Sequence, residues 1–402
     1  MTALCVAALG AAFVSSPVAA ADTPSLATQG SAEAATQGVH PYFNTLPSNL
    51  DFEALRRHAE SAMASRPDAF VSPPIWYLDD SSSGFIDAWN KVNYGNIYFM
   101  GAVPNKAVNS NIAMNILLWR FKFSNGLVTD ATKQSCSENA SVYTRFLESP
   151  LLNDVSYASN GVALGSRQYI DAFQEAELHG FVPSGYHTNF INYPKYARVI
   201  TISVPEADGF AAAIKGCSQP FAEMSQTWFD AQVQKVIQAL KFSHAFFTFN
   251  LLNNTVMYGT STKDCCIIGY HSAYGNSSYA QIYGVGSYVA PQWGFKGLDD
   301  VAALSHEVGE AVNDPVVGNP TPAWGKVGQV SGCQDNFEVG DPLSGTEFAV
   351  PLHGFTYHLQ DLAFFSWFYR GTTTNKQYLG TGGKYSFRGT FTSKSLQNVC
   401  KT

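Results

Sequence analysis

Residues 298–315 read LDDVAALSHEVGEAVNDP and contain the pattern H-E-x-x-E from His306 to Glu310. Side chains four residues apart lie on one face of an α-helix, with Cβ atoms roughly 5 to 6 Å apart, so this histidine and this glutamate are placed to bind one ion. Glu307 follows the histidine and is expected to face water beside that ion. The stretch therefore predicts two metal ligands and one general base.

Signals at both ends of the stretch predict a helix. Asp299 and Asp300 are good N-cap residues, and Pro315 is expected to end the helix. Four apolar residues recur at helical spacing, namely Val301, Leu304, Val308 and Val312. We expect a partly buried helix that carries the pattern.

A catalytic metal site needs about three protein ligands and an open position, so a third ligand must come from elsewhere. The carboxylate-rich stretch DNFEVGD at residues 335–341 is the best source. Within it Glu338 is favoured and Asp341 is the alternative. His271 is interpreted as a residue that packs at a strand end. Three further side chains are weaker candidates for binding a substrate: His353, Tyr357 and His358.

Glutamate in place of a second histidine changes the metal chemistry that is expected. Two anionic ligands roughly cancel the charge of a divalent ion and make it a weaker Lewis acid. Carboxylates also move the preference from Zn²⁺ toward harder ions such as Ca²⁺ or Mn²⁺, although Zn²⁺ remains the first choice. For a lone match, the default interpretation of His306 and Glu310 is a hydrogen-bonded structural pair on an ordinary helix; the sheet before the helix and the carboxylate loop after it favour a metal site.

Composition limits the partners of the chain. The 402 residues carry a net charge of -7, charged residues are 14% of the total, and no dense Lys/Arg run occurs, which excludes nucleic acid and anionic membranes as main partners. Residues 1–20 have the apolar run and small-residue cleavage pattern of a secretory signal. Nothing later reaches the roughly 18 apolar residues of a membrane span. We expect a secreted protein, extracellular or periplasmic, with no membrane span.

Cysteine usage suits an oxidising compartment. Removal of the signal takes Cys5 and leaves six cysteines: Cys136, Cys217, Cys265, Cys266, Cys333 and Cys400. About 15 connectivities are open to six cysteines. Cys265 and Cys266 are adjacent, and each is expected to bond a distant partner.

The order of elements divides the chain into regions. Residues 21–74 are rich in Ala, Ser, Thr, Gln and Pro and are interpreted as a linker or propeptide-like arm with one helical pattern at 52–65. Patterning predicts helices at 169–178 and from Pro220 to Leu240, a segment at 357–369 of ambiguous period, and strands at 97–103, 112–123, 197–204, 245–252, 256–258, 266–270 and 279–285. The last four strands are expected to form a small sheet.

The chain resembles bacterial secreted proteins with a zincin-like domain, and it is distantly similar to plant phosphate-induced, exordium-like proteins. The matching pieces are GYHS at 269–272, SHEVGEAVNDP at 305–315, Trp324, EVGD at 338–341, SPLL at 149–152 and QYIDAFQEA at 168–176. The resemblance implies an α+β, zincin-like metallopeptidase domain over residues 75–402, with a mixed sheet and an H-E-x-x-E active-site helix. Its strand-rich half would span about 75–215 and its motif-bearing half about 216–402.

On that resemblance His306, Glu310 and Glu338 would be metal ligands and Glu307 the base. Three functions follow as hypotheses. The first is a secreted metal-dependent hydrolase, a zincin-type peptidase acting on extracellular protein or peptide. The second is a non-catalytic extracellular binding or signalling protein with a structural metal site. The third is a protein without metal at this helix.

Overall fold

A computed structural model describes most of the chain beyond residue 40. The described residues are 41–48, 50–51, 54–55, 57, 61, 75–78, 92–104, 109–136, 138–183, 185–276, 279–293, 295, 297–370, 384–392 and 400. The predicted signal at 1–20 and most of the helical pattern at 52–65 lie outside these residues.

Strands are the dominant element in this part of the chain. They are β1 Tyr42–Thr45, β2 Ile75–Leu78, β3 Ile97–Met100, β4 Ser110–Phe123, β5 Val128–Asp130, β6 Val155–Ser159, β7 Val162–Arg167, β8 Thr188–Val204, β9 Gly209–Ala212, β10 Phe221–Ser225, β11 Phe247–Asn253, β12 Thr255–Tyr258, β13 Cys265–Asn276, β14 Tyr279–Tyr288, β15 Pro320–Val327, β16 Val330–Asn336, β17 Glu347–Leu352 and β18 Phe355–Gln360.

Helices are fewer and shorter. They are α1 Val142–Glu148, α2 Tyr169–Glu177, α3 Gln226–Leu240, α4 Ala302–Asn313 and α5 Phe365–Phe368, with single 3-10 turns at Pro291–Trp293 and Asp341–Leu343. None of the helices in the described ranges is both long and apolar enough to cross a membrane.

One curled, mixed sheet of ten strands forms the centre of the molecule, in the order β5-β4-β11-β14-β13-β12-β10-β9, with β8 beside β4 and β1 beside β13. The sheet contains parallel pairs, such as β4 with β11, and antiparallel pairs, such as β13 with β14. The prediction of an α+β, zincin-like metallopeptidase domain is therefore wrong: the fold is predominantly β. The four strands that were expected to form a small sheet of their own, β11 to β14, are part of this larger sheet. Long-range pairing joins them to earlier strands such as β4 and β8.

The sheet has a helix on each face. On one face Phe229 and Val233 of α3 pack with Trp119 of β4. On the other face Leu304 of α4 packs with Phe249 of β11. Because both faces are covered, every residue of the central strand β11 is buried, including its polar residues Thr248, Asn250 and Asn253.

Several predicted elements match the structure and others do not. The helix at 169–178 is confirmed as α2, and the strand at 112–123 is confirmed within β4. The predicted helix from Pro220 starts too early, because residues Phe221–Ser225 form β10, which pairs with β12. Ser225 then caps α3 by accepting a hydrogen bond from the backbone of Trp228. The ambiguous segment at 357–369 contains the end of β18 and then α5.

Part of the predicted arm is built into the sheet. Residues Tyr42–Thr45 form β1, which pairs parallel with β13 from Ile267 to His271. The ring of Phe43 is buried at 4% exposure. These four residues are therefore not a linker.

Three disulfides join the six cysteines: Cys136–Cys217, Cys265–Cys266 and Cys333–Cys400. The expectation that Cys265 and Cys266 each bond a distant partner is wrong. Their shared peptide bond is cis and leaves the two Cα atoms 3.0 Å apart, which brings the two sulfurs together.

Candidate metal centre

The pattern H-E-x-x-E lies on α4, and every residue of this helix is buried, so burial is greater than expected. The N-cap prediction is wrong: Val301 occupies the cap without a side-chain bond. The side chain of Asp300 instead accepts hydrogen bonds from the backbone of Val301 and of His358 on β18. The helix ends at Asn313, as Pro315 predicts.

Three elements bring titratable side chains to one place under the sheet. Helix α4 supplies His306, Glu307 and Glu310, strand β13 supplies His271, and the segment after β16 supplies Glu338 and Asp341. All six side chains are at most 4% exposed. The structure thus brings together all the residues predicted from the motif and the carboxylate loop.

The first group consists of His306, Glu310 and Asp341, whose ligand atoms lie within 4.8 Å of one another. Nε2 of His306 is 3.1 Å from Oε2 of Glu310 and 3.5 Å from Oδ1 of Asp341. Amide side chains orient Asp341: Gln334 donates to Oδ2 at 3.0 Å, and Gln329 donates to Oδ1. Asp341, the alternative third ligand in the sequence, is the carboxylate that lies beside His306.

The second group consists of His271, Glu307 and Glu310, again with ligand atoms within 4.8 Å of one another. Nδ1 of His271 is 3.5 Å from Oε2 of Glu307 and 3.6 Å from Oε2 of Glu310. Nε2 of the same ring is 3.7 Å from Oε2 of Glu338. The favoured third ligand Glu338 therefore lies beside His271.

Many polar atoms of the two groups have no hydrogen-bond partner among the described residues. They are both ring nitrogens of His306, Nδ1 of His271, both carboxylate oxygens of Glu307 and Oε2 of Glu338. Buried polar groups are nearly always paired, because an unpaired one costs about 1 to 3 kcal/mol. A divalent cation is a partner that would satisfy imidazole and carboxylate atoms together.

The charges of the groups shift their pKa values in opposite directions. Burial opposes charge on His306, but the attraction and hydrogen bonding of Glu310 and Asp341, together with the charge of Glu307, outweigh it and raise the His306 pKa well above its usual value. The same attraction lowers the pKa of Glu310 against the effect of burial. Burial raises the pKa of Glu307 and of Glu338 well above the usual range, and it lowers the pKa of His271.

Two glycines allow the side chains to approach this closely. A Cβ on Gly269 of β13 would lie 2.6 Å from Cγ of Glu307, and a Cβ on Gly340 would lie 2.5 Å from Nδ1 of His306. Real Cβ atoms essentially never make contacts this short, so a larger residue at either position would have to displace the Glu307 or His306 side chain. Glycine serves here to let the backbone come near a site.

Strand β1 covers the first group. The ring of Phe43 stacks on the imidazole of His306 with centroids 3.4 Å apart and planes 10° apart. Gln329 fixes the strand, because it accepts from the backbone N–H of Phe43 and donates to its carbonyl. An open volume of about 580 Å³ lies beside this strand and is lined by Tyr42, Gln329 and Ser344, among others.

The weaker substrate candidates lie on the β17–β18 hairpin. His353 is exposed at its tip, Tyr357 packs edge-on against Phe355, and Nδ1 of His358 is 2.6 Å from Oδ2 of Asp300. His358 also belongs to a half-exposed group with Asp299 and Glu347. These three side chains therefore lie on the hairpin, and none of the hydrogen bonds or ion pairs described here joins them to the six buried residues.

Sequence reasoning missed three residues of the site. His271 is in the middle of β13, not at a strand end, and only its place in the GYHS piece singled it out. Phe43 and Gln329 carry no motif and meet the site through pairing across 286 residues of sequence.

Among known proteins, no family model, no curated protein and no solved structure matches this chain.

Proposed function

We propose that the protein is a metal-dependent hydrolase that cleaves an amide or ester bond. The observation that carries the proposal is the convergence of two buried imidazoles and four buried carboxylates with several atoms left without a partner. An uncompensated group of this kind is costly in a protein interior, so the arrangement is explained best by an ion that it binds.

His306, Glu310 and Asp341 would hold the ion. Their donors are one imidazole and two carboxylates, and Gln329 and Gln334 orient the third ligand from outside. Such outer contacts are typical of metal ligands. Zn²⁺ suits this mixed set best and Mn²⁺ is second, since imidazole is not a ligand that Ca²⁺ prefers.

Glu307 is the group that would move a proton. A bound divalent ion would polarise water and the substrate carbonyl. Glu307 lies on the same helix turn, and both of its oxygens are free of hydrogen bonds within the described chain. Burial raises its pKa, which moves it toward the range in which a carboxylate both accepts and returns a proton near neutral pH.

The disulfides favour an extracellular substrate, because they indicate an oxidising compartment. Three disulfides join all the cysteines after residue 20, and disulfides persist in oxidising compartments. We infer that the protein is secreted and acts on extracellular protein or peptide.

The test is hydrolysis by the full chain after secretion. With Zn²⁺ or Mn²⁺ supplied, the protein is expected to cleave casein, a peptide library or an ester, and Glu307→Gln is expected to lower the rate by about 10² to 10⁴-fold. Glu177→Gln is the matched control, because Glu177 is equally buried on α2 and pairs with the backbone of Phe365. Turnover that survives in Glu307→Gln would sink the proposal.

A second candidate is a non-catalytic extracellular protein in which the ion only orders the loop after β16. Complete burial favours it: His306 and Glu307 are 0% exposed, and Phe43 covers the imidazole. This candidate expects a lower melting temperature after chelation and no turnover of any substrate. Hydrolysis that disappears in Glu307→Gln would exclude it.

A further inference from the structure

His271 is the buried titratable group that the proposed function leaves without a role. Its Nε2 lies 3.2 Å from the backbone carbonyl of Asp314. A carbonyl oxygen only accepts, so Nε2 carries the proton and Nδ1 presents a lone pair. That lone pair faces Oε2 of Glu307 at 3.5 Å and Oε2 of Glu310 at 3.6 Å. Three acceptors thus point at one another in a buried place.

When the carboxylates are ionised, these three acceptors repel one another unless a proton or a cation lies between them. Nδ1 of His271 makes no hydrogen bond within the described residues, and neither does either oxygen of Glu307. One ligand atom from each of His271, Glu307 and Glu310 lies within 4.8 Å of the others, and the two distances from Nδ1 of His271 are 3.5 and 3.6 Å. Imidazole nitrogens and carboxylate oxygens bind divalent transition ions at about 2.0 to 2.2 Å.

Glu310 stands between this group and the first one. Its Oε1 accepts the backbone N–H groups of Gly340 at 3.0 Å and of Asp341 at 3.2 Å, which fixes the carboxylate. Its Oε2 is then directed at both imidazoles, 3.1 Å from Nε2 of His306 and 3.6 Å from Nδ1 of His271. A carboxylate held in this way is placed to bridge two ions.

The charge of the cluster leads to the same result. Four carboxylates, those of Glu307, Glu310, Glu338 and Asp341, are buried with two imidazoles. With all four carboxylates ionised, one divalent ion leaves two negative charges buried, whereas two divalent ions neutralise the cluster. Uncompensated buried charge is strongly unfavourable, so a second ion stabilises the fully ionised form of the cluster.

We propose that the protein binds a second divalent transition-metal ion, Zn²⁺ or Mn²⁺, between Nδ1 of His271, Glu307 and Glu310. The inference rests on the proposed function only for the ion at His306. Metals that share ligands in hydrolases lie about 3.5 to 4 Å apart and clamp both sides of the reacting bond. Glu307 would bind this second ion through Oε2, the oxygen that lies 3.5 Å from His271, and Oε1 would remain for the proton transfer proposed above.

Metal content of the purified full chain tests the inference. Elemental analysis is expected to find two ions per chain in the wild type and one in His271→Gln and in Glu307→Gln. His179→Gln is the control, because His179 is a half-exposed histidine paired with Glu175, and it should keep both ions. One ion in the wild type, or two in His271→Gln, overturns the inference.

Measurements on the wild-type protein alone test the inference even if the variants fail to fold. Metal-free protein titrated with Co²⁺ is expected to saturate at two equivalents, and the Mn²⁺-loaded protein should show the electron paramagnetic resonance spectrum of a spin-coupled pair. Saturation at one equivalent, or an uncoupled Mn²⁺ spectrum, overturns it. Two ions without hydrolysis would reject the hydrolase and keep the second site, and one ion with hydrolysis would do the reverse.

Discussion

The ring of Phe43 lies parallel to the imidazole of His306, with 3.4 Å between the centroids and 10° between the planes. A side chain from β1 thus covers a candidate metal ligand on α4. In Phe43→Ala we expect an opening above His306, so chelators should remove metal several times faster. Loss of the buried ring should also cost about 3 to 5 kcal/mol of unfolding free energy. Chelation kinetics and thermal melts measure the two effects.

Phe43→Leu and Tyr42→Ala are the controls. The leucine keeps apolar bulk over the imidazole, and Tyr42 bonds to Asp264 through its hydroxyl, away from the cluster. Both variants should lose metal at close to the wild-type rate. Equal rates in Phe43→Ala and Tyr42→Ala would show that β1 does not control access.

Metal-free protein should lose stability as pH rises. Burial raises the pKa of Asp341 to about 6 and that of Asp314 to about 7. Unfolded aspartates titrate near about 4, so the folded protein holds more protons than the unfolded chain between about pH 4 and 7. The free energy of unfolding therefore falls as pH rises through this window. His306, whose pKa is also raised, adds a change of the same sign.

Thermal melts with and without chelator check this pH dependence. The melting temperature of the metal-free protein should be several degrees higher near about pH 5 than above about pH 7, while bound metal should flatten or reverse the trend, because metal ligands must be deprotonated. Metal-free protein that becomes more stable with rising pH would contradict the burial of these carboxyls.

Gly340→Ala should damage the site although it adds only a methyl group. The new Cβ would lie 2.5 Å from Nδ1 of His306, and stacking on Phe43 prevents the imidazole from retreating. Overpacking of this kind costs about 1 to 3 kcal/mol, and we expect weaker metal binding with it. Gly332→Ala, where nothing lies within 4 Å of the new Cβ, should change stability by no more than about 0.5 kcal/mol. Equal effects in the two variants would refute the close approach.

The disulfide Cys333–Cys400 anchors β16, which carries Gln334 and leads to Glu338. Replacing both cysteines with serine should cost about 2 to 5 kcal/mol and also weaken metal binding. The matched control is the serine pair at Cys136 and Cys217, a bridge of similar span, 81 residues against 67, that holds no element of the cluster. This control variant should lose about as much stability as the Cys333 and Cys400 variant, but its metal affinity should not change. Melting curves and metal titrations separate the two effects.

The local part of the site is predictable from the sequence, because it depends on neighbours in the chain. Helical periodicity and Pro315 give the end of α4, and spacing places His306 and Glu310 on one face. The carboxylate loop supplies Glu338 and Asp341, and the structure gathers both beside the helix. The sequence favours Glu338 over Asp341, yet Asp341 is the one that lies 3.5 Å from Nε2 of His306, because these distances depend on the path after β16.

The long-range part is not predictable in this way. Residues Phe221–Ser225 fit helical spacing, yet pairing with β12 makes them a strand. Four residues of a polar, Ala-rich arm become β1 because the edge beside Ile267 of β13 is open to them. His271 lies among buried residues of a strand, where no periodicity separates a ligand from a packing residue.

The glycines at 269 and 340 also bear on the search for kindred chains. Many helices contain H-E-x-x-E by chance, but a glycine on the strand beneath Glu307 and another next to the His306 ring are steric requirements of this particular site. A distant chain that keeps the five motif residues but carries larger side chains at those two places would have to hold the Glu307 and His306 side chains in other positions. Glycine at these two positions is therefore a more specific sign of such a site than the charged residues of the motif are.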